Sequence, residues 1–381
     1  MGFALNADQK MTVETARAVL GEHSSSARVR QAMDSQRGID QDLWGLVARE
    51  LGWCSLSIPE ALGGVGLGDL DLALLVEQMG YHLACVPFFS TSVLAARTLE
   101  LAADSAAGEH YLPMLAVGEL SATLAWTGLG IGTQAEPVVR SSASGLELHG
   151  SLSYVLDAQT TDLLLVAARH EQGHQCLLAV SPQTAGVHIE PLRTLDQTWR
   201  FANLDFDQVS LPTEALIGEV DVSAALEKVR AMAQIMFAAE LLGVAQRCLD
   251  LTVAYTAERV QFGRTIASFQ AIKHRCAEMM VRVEATRSMV HGASLMAASL
   301  DNTQLAMEAA ATKALAAETA FYCAQEAIQL HGGVGFTWEY DPHLYFKRAQ
   351  AGSSWLGATH SLLADVAAAL LDGHEELQHA S

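Results

Sequence analysis

Two segments in the last third of the chain carry residue types that suit a phosphate-bearing ligand. The first is Glu258-Arg259-Val260-Gln261-Phe262-Gly263-Arg264-Thr265-Ile266-Ala267-Ser268-Phe269-Gln270, set between two long apolar-periodic runs. It offers a fixed cation, an aromatic ring, amide side chains and a glycine-relieved turn. A guanidinium forks onto phosphate oxygens, so this kit suits a pyrophosphate with an attached aromatic ring. A helical hairpin whose Arg259 pairs with a carboxylate would use the same residues. The second is Gln329-Leu330-His331-Gly332-Gly333-Val334-Gly335-Phe336-Thr337-Trp338. Its glycines let backbone N–H groups approach an anion closely. A glycine-rich helix cap would look the same. The spacing is not that of a P-loop, and the segment follows a helix-like run, which excludes a dinucleotide fingerprint of the Rossmann kind.

No metal centre is legible. His274, His331, His343 and His360 stand singly, with no H-E-x-x-H or Cys/His spacing. The six cysteines, Cys54, Cys85, Cys176, Cys248, Cys276 and Cys323, include no CxxC pair and read as reduced, mostly buried thiols.

Proline placement indicates the elements that must position these segments. None of the eight prolines falls between Pro212 and Pro342, while five lie from Pro113 to Pro212. Proline breaks helix interiors, so the gap predicts long helices over 224–258, 266–298 and 304–330, packed as an antiparallel bundle. On the second of these, Ile266, Phe269, Ile272, Cys276, Met279, Met280 and Val283 share a face. Between 119 and 222 the pattern changes to strands. Gly145–Gly150 and Arg200–Asp207 alternate in period two, while Ser121–Trp126, Asp162–Ala168 and Cys176–Val180 are short apolar runs. A small antiparallel barrel or sandwich is expected there. Asp69–Met79 has helical spacing and Gly80 reads as its stop. The division is therefore a helical domain over 1–118, a β domain over 119–222 and a helical bundle over 223–381, an α+β class.

The chain has 381 residues, 50% hydrophobic and 17% charged, with a formal net charge of −20. Such a composition folds into a globular protein. The acidic balance argues against nucleic acid as a partner and gives no support for anionic lipid. No stretch has the ~18 apolar residues of a membrane helix. The N-terminus, MGFALNADQK, has no basic region or apolar run of a secretory leader, so a cytoplasmic protein is expected.

Taken together, Pro59-Glu60-Ala61-Leu62-Gly63-Gly64, Arg259-Val260-Gln261-Phe262-Gly263 and Gln329-Leu330-His331-Gly332-Gly333 resemble the acyl-CoA dehydrogenase family over essentially the whole chain. The likeness is to bacterial members that degrade steroid and branched acyl side chains. The resemblance implies that family's helix–β–helix fold, an FAD cofactor and an acyl-CoA substrate. It implies α,β-dehydrogenation to a trans-2-enoyl-CoA, with an electron-transfer flavoprotein as usual reoxidant and at least a dimer, commonly a dimer of dimers. Arg259, Gln261 and Phe262 fall where the family contacts FAD, with Phe269 and Gln270 close by. Gln329, Gly332 and Gly333 fall where a neighbouring subunit reaches the adenine half.

Several positions depart from that pattern. The family's glutamate base usually follows an arginine by nine residues; counted from Arg348, that place is Gly357, and no carboxylate occurs between Asp341 and Asp365. A minority of the family carries the base on the preceding long helix, a place taken here by Ala233. The nearest acid, Glu240, lies two turns on, ~10 Å along a helix. A lone carboxylate among apolar neighbours would have a raised pKa. Glu240 is thus a candidate base, or else the structural partner of a buried arginine or amide. The first flavin loop reads Trp126-Thr127-Gly128-Leu129-Gly130-Ile131-Gly132-Thr133, and the second reads Tyr154-Val155-Leu156. Leu156 has no hydroxyl to offer the flavin; Trp126, Thr127 and Tyr154 remain as candidate contacts. The readings that follow are a catalytic or auxiliary dehydrogenase subunit, a non-catalytic partner in an α2β2 assembly, or a flavin oxidase or monooxygenase of the same fold.

Overall fold

The computed structural model describes residues 4–131, 135–142, 145–218 and 220–379. The chain opens with α1 (Ala7–His23), α2 (Ser26–Asp34), α3 (Gln41–Gly45), α4 (Asp69–His82), α5 (Ala96–Leu101) and α6 (Ser105–Ala116). Strands follow: β1 (Ala122–Ala125), β2 (Val138–Ser142), β3 (Gly145–Leu156), β4 (Leu163–His170), β5 (Gln175–Val180), β6 (Val187–Pro191), β7 (Phe201–Leu211) and β8 (Leu216–Gly218). The remainder is α7 (Ser223–Glu258), β9 (Val260–Gln261), β10 (Arg264–Thr265), α8 (Gln270–Met296), α9 (Asn302–His331), α10 (Pro342–Gly352) and α11 (Thr359–His379). The order helices, strands, helices agrees with the expected fold class. Packing gathers these elements into two units, one of residues 27–68 and 85–233 and one of 1–26, 69–84 and 234–381.

The first unit is built on a sheet ordered β6-β7-β3-β2-β4-β5-β8, with β1 also on β4. Most neighbours are antiparallel, as expected. Both β1 and β2 run parallel to β4, so the sheet is mixed. The connection from β1 to β4 contains the whole β2–β3 hairpin, which is long enough for a parallel return. In strand β7 Leu204 and Phe206 enter the core while Asp205 faces water; an irregularity at Asp207 and Gln208 (φ 52°) interrupts the alternation, and Val209 and Leu211 resume it. In β4 almost every residue is buried, because both of its faces are covered.

The second unit is helical. Gly80 lies inside α4 and does not end it. A Cβ there would overlap the backbone oxygen of Glu240 and sit 2.7 Å from its Cγ. From the other side, a Cβ on Gly243 would overlap the Glu77 carbonyl oxygen and lie 2.6 Å from the Tyr81 amide nitrogen. The two glycines let α4 and α7 cross backbone to backbone. Helix α4 ends instead at Leu83, whose φ of 47° is left-handed. There the Ala84 N–H donates to Met79 O (3.0 Å) and the Leu83 N–H to Gly80 O (3.2 Å), the paired bonds of a left-handed cap.

Alanines 309, 310, 314, 316, 317 and 320 give α9 a buried flank narrow enough for close neighbours. On α8, Met279 and Val283 are buried as expected, whereas Ile272 and Cys276 are half-buried and Met280 is 52% exposed. Met280 points about 100° round the helix from Met279, onto an uncovered side. No helix among the described residues is long and apolar enough to cross a membrane.

Candidate functional site

In the helical unit, β9 and β10 form a hairpin in which Gln261 pairs with Arg264. Its two turn residues, Phe262 (φ 53°) and Gly263 (φ 75°), are both left-handed, as a two-residue hairpin of this twist requires. A phenylalanine held there is unusual, and its ring is 90% exposed. It stands edge-on to Phe269 at 6.0 Å, and the Arg264 guanidinium lies over the Phe269 ring at 4.0 Å. Arg259 and Gln261 are exposed beside them. Arg259 forms no ion pair among the described residues, so the hairpin does not use it as a structural cation.

The glycine-rich segment caps α9. Gly332 has φ 65° and ψ −141°, a conformation reserved for glycine. A Cβ on Gly332 or Gly333 would meet nothing within 4 Å, so both leave open space above the backbone. Gly335 differs: a Cβ there would lie 2.6 Å from Ile328 O, so this glycine serves packing. His331 stacks on Tyr255 of α7 with ring centroids 4.2 Å apart, and its Nδ1 meets Ala327 O at 2.7 Å. Desolvation lowers the His331 pKa. This stack joins the end of α7, just before Arg259, to the end of α9, just after Gln329.

In the sheet unit, Trp126 is buried and its ring fills the space beside Gly128, where a Cβ would lie 2.6 Å away. Thr127 begins a single 3-10 turn after it. Gly132 and Thr133 lie outside the described residues. Tyr154 sits at an irregularity in the β3–β7 pairing with φ 60°, its ring 6.3 Å from Phe201. That conformation is costly for a bulky residue and turns the half-buried ring out of the strand's alternation. Leu156 is buried, and its carbonyl accepts from Thr123 Oγ1 at 2.8 Å.

The acid positions are the most informative. Glu240 is not a lone carboxylate: Arg348 Nη1 of α10 donates to its Oε1, and the side chains are 3% and 1% exposed. Gly357 has φ 103° and follows Leu356 at φ 57°, two consecutive left-handed residues. Gln234 Nε2 donates to Leu356 O at 2.9 Å, and Lys313 Nζ donates to Gly357 O. Burial pulls the Lys313 ammonium down to about 8. No sequence motif marks Gln234 or Lys313. A signal existed for the lysine, since Ala309, Ala310, Ala316 and Ala317 flank it at helical spacing, marking its face as buried. No group of three or more His, Cys, Asp or Glu among the described residues could hold a metal.

The profile of the acyl-CoA dehydrogenase N-terminal domain matches residues 6–119, and that of the C-terminal domain matches residues 224–371. The chain belongs to the acyl-CoA dehydrogenase family. It is 32% identical over 356 residues to the acyl-CoA dehydrogenase IpdE2 of Mycobacterium tuberculosis, covering 93% of this chain and 95% of that one. Among solved structures, a variant of the Tcur3481–Tcur3483 steroid ACAD superposes with a TM-score of 0.86 at 28% identity, covering 97% of this chain and 99% of that one. The ChsE4–ChsE5 complex from Mycobacterium tuberculosis has the same fold, with a TM-score of 0.87 at 24% identity and coverage of 97% and 99%.

Proposed function

We propose that this chain is the base-free subunit of a heteromeric acyl-CoA dehydrogenase. The assembly converts an acyl-CoA thioester to its trans-2-enoyl-CoA, and a partner chain brings the proton acceptor. The observation that carries this reading is the state of the two acid positions. Gly357 has no side chain and its carbonyl is held by Lys313, while Glu240 is engaged by Arg348. A carboxylate locked to a buried guanidinium is a weak proton acceptor, because taking the proton would strand the cation.

The cofactor is FAD, which supplies the hydride acceptor when bound. The residues present suit its adenine half. Arg259 is free to meet a pyrophosphate, Gln261 and Gln270 offer amides beside it, and Phe262 and Phe269 present ring faces. Gln329 and the open backbone at Gly332 and Gly333 would receive the adenine end of a neighbouring chain's FAD. Trp126, Thr127 and Tyr154 are left for the flavin end, where Leu156 offers no hydroxyl. One similar structure, 28% identical, is of an assembly named by two chains and called a steroid ACAD, which supports a mixed oligomer and a bulky acyl group. An electron-transfer flavoprotein is the proposed electron acceptor.

The test is anaerobic titration with acyl-CoAs, followed by flavin absorbance. The chain purified alone should leave any bound flavin oxidised. The chain purified with a partner that carries its own glutamate should bleach. Bleaching by the lone chain would overturn the reading.

A further inference from the structure

Nothing in a dehydrogenation requires Lys313, and a buried ammonium is costly. It sits on α9 with no measurable exposure and donates to the carbonyl of Gly357. One peptide earlier, Gln234 of α7, itself buried, donates to the carbonyl of Leu356. Two side chains from two helices therefore grip consecutive peptide groups, and those peptides belong to consecutive residues in left-handed backbone. A glycine accepts φ 103°, whereas a side-chain-bearing residue there is strained. Leu362 must also move to admit a side chain: a Cβ on Gly357 would lie 2.7 Å from Leu362 Cδ2 and 3.1 Å from Leu362 Cγ.

We infer that Gln234 and Lys313 are positioning residues that lock the Leu356–Gly357 turn, so that the missing proton acceptor is built into the backbone and is not restored by a carboxylate at position 357 alone. Three physical obstacles act together. The clamp holds a conformation that only glycine takes easily. Leu362 occupies the path of a side chain. The buried ammonium, already at the Gly357 carbonyl, would capture any carboxylate placed beside it and hold it ionised but unreactive. The consequence for catalysis rests on the base-free reading above; the lock itself rests only on the geometry.

Two measurements test this. The first needs no cofactor. Hydrogen exchange of the full chain, read on peptides covering 353–359, should speed up about tenfold in Lys313→Met and in Gln234→Leu, with α10 unchanged. Unchanged exchange in both variants would overturn the lock. The second uses the FAD-loaded assembly, with the partner's own glutamate replaced by glutamine. Gly357→Glu alone should leave the flavin unbleached by acyl-CoA. The combination of Gly357→Glu, Lys313→Met and Leu362→Ala should bleach it at least ten times faster than Gly357→Glu. Bleaching by Gly357→Glu alone, or silence of a folded, flavin-loaded combination, would overturn the inference. If the unaltered lone chain bleached, the base-free reading would fail, while the exchange result would still decide the lock.

Discussion

Lys313 ties chemistry to stability at a single residue. Burial lowers its pKa from 10.5 to about 8. In the unfolded chain the amine keeps its proton to about pH 10.4. Between those values the unfolded state binds more protons, so stability rises with pH across that window. Below it, the folded protein bears the whole cost of the buried charge, about 3 kcal/mol at roughly 1.4 kcal/mol per pH unit. The hydrogen bond to Gly357 O returns about 1 kcal/mol of this. Lys313→Met should therefore raise the melting temperature at pH 7 by a few degrees, with the difference fading toward pH 10. A variant less stable at both pH values would show that the carbonyl contact outweighs desolvation. Glu240 illustrates what sequence leaves open at this scale. Its apolar neighbours on α7 are legible in the sequence, and they admit both a poised base and the partner of a buried arginine or amide. Arg348 is 108 residues away in the chain, and only folding brings its guanidinium to the carboxylate.

At the scale of elements, the proline gap and the helical periodicity located α7, α8 and α9 closely, because long helices leave a compositional trace. Glycine is harder to read. Gly80 sits at the end of an apolar run, where a glycine more often stops a helix, yet here it makes room for α7. Cap and crossing need the same missing Cβ, so local sequence cannot separate them. Gly243→Ala tests the crossing. The atoms its methyl would meet, Glu77 O and Tyr81 N, are backbone and cannot change rotamer. A loss of about 3 kcal/mol is expected in urea unfolding, the upper end of overpacking costs. A loss below about 0.5 kcal/mol would mean that the helices part freely. The parallel pairing of β1 with β4 was also invisible locally, since strand alternation reports burial and says nothing of the neighbour's direction.

For the molecule as a whole, the balance of charge and exposed apolar surface points to association. Phe262, Phe336, Trp338 and Val260 are 90%, 68%, 60% and 56% exposed. Exposed apolar side chains gathered into a patch mark surfaces that meet a ligand or another chain. A net charge of −20 opposes contact between like copies, and salt screens that repulsion over a Debye length of about 10 Å at 0.1 M. Sedimentation of the purified chain should show oligomers that strengthen from about 0.05 to 0.5 M sodium chloride. A monomer throughout, at micromolar concentration, would refute this.

The sequence by itself determined the family, the order of helices and strands, the two glycine-bearing segments proposed to hold the nucleotide, and the absence of a carboxylate between Asp341 and Asp365. Those features are local: a composition, a period or a short motif carries each of them. Only the tertiary structure decided that Glu240 is bound to Arg348, that two glycines form a helix crossing, and that Gln234 and Lys313 hold the turn at Gly357. Each of these depends on residues far apart in the chain whose meeting is fixed by packing, and a linear pattern does not encode which distant partner a side chain will find.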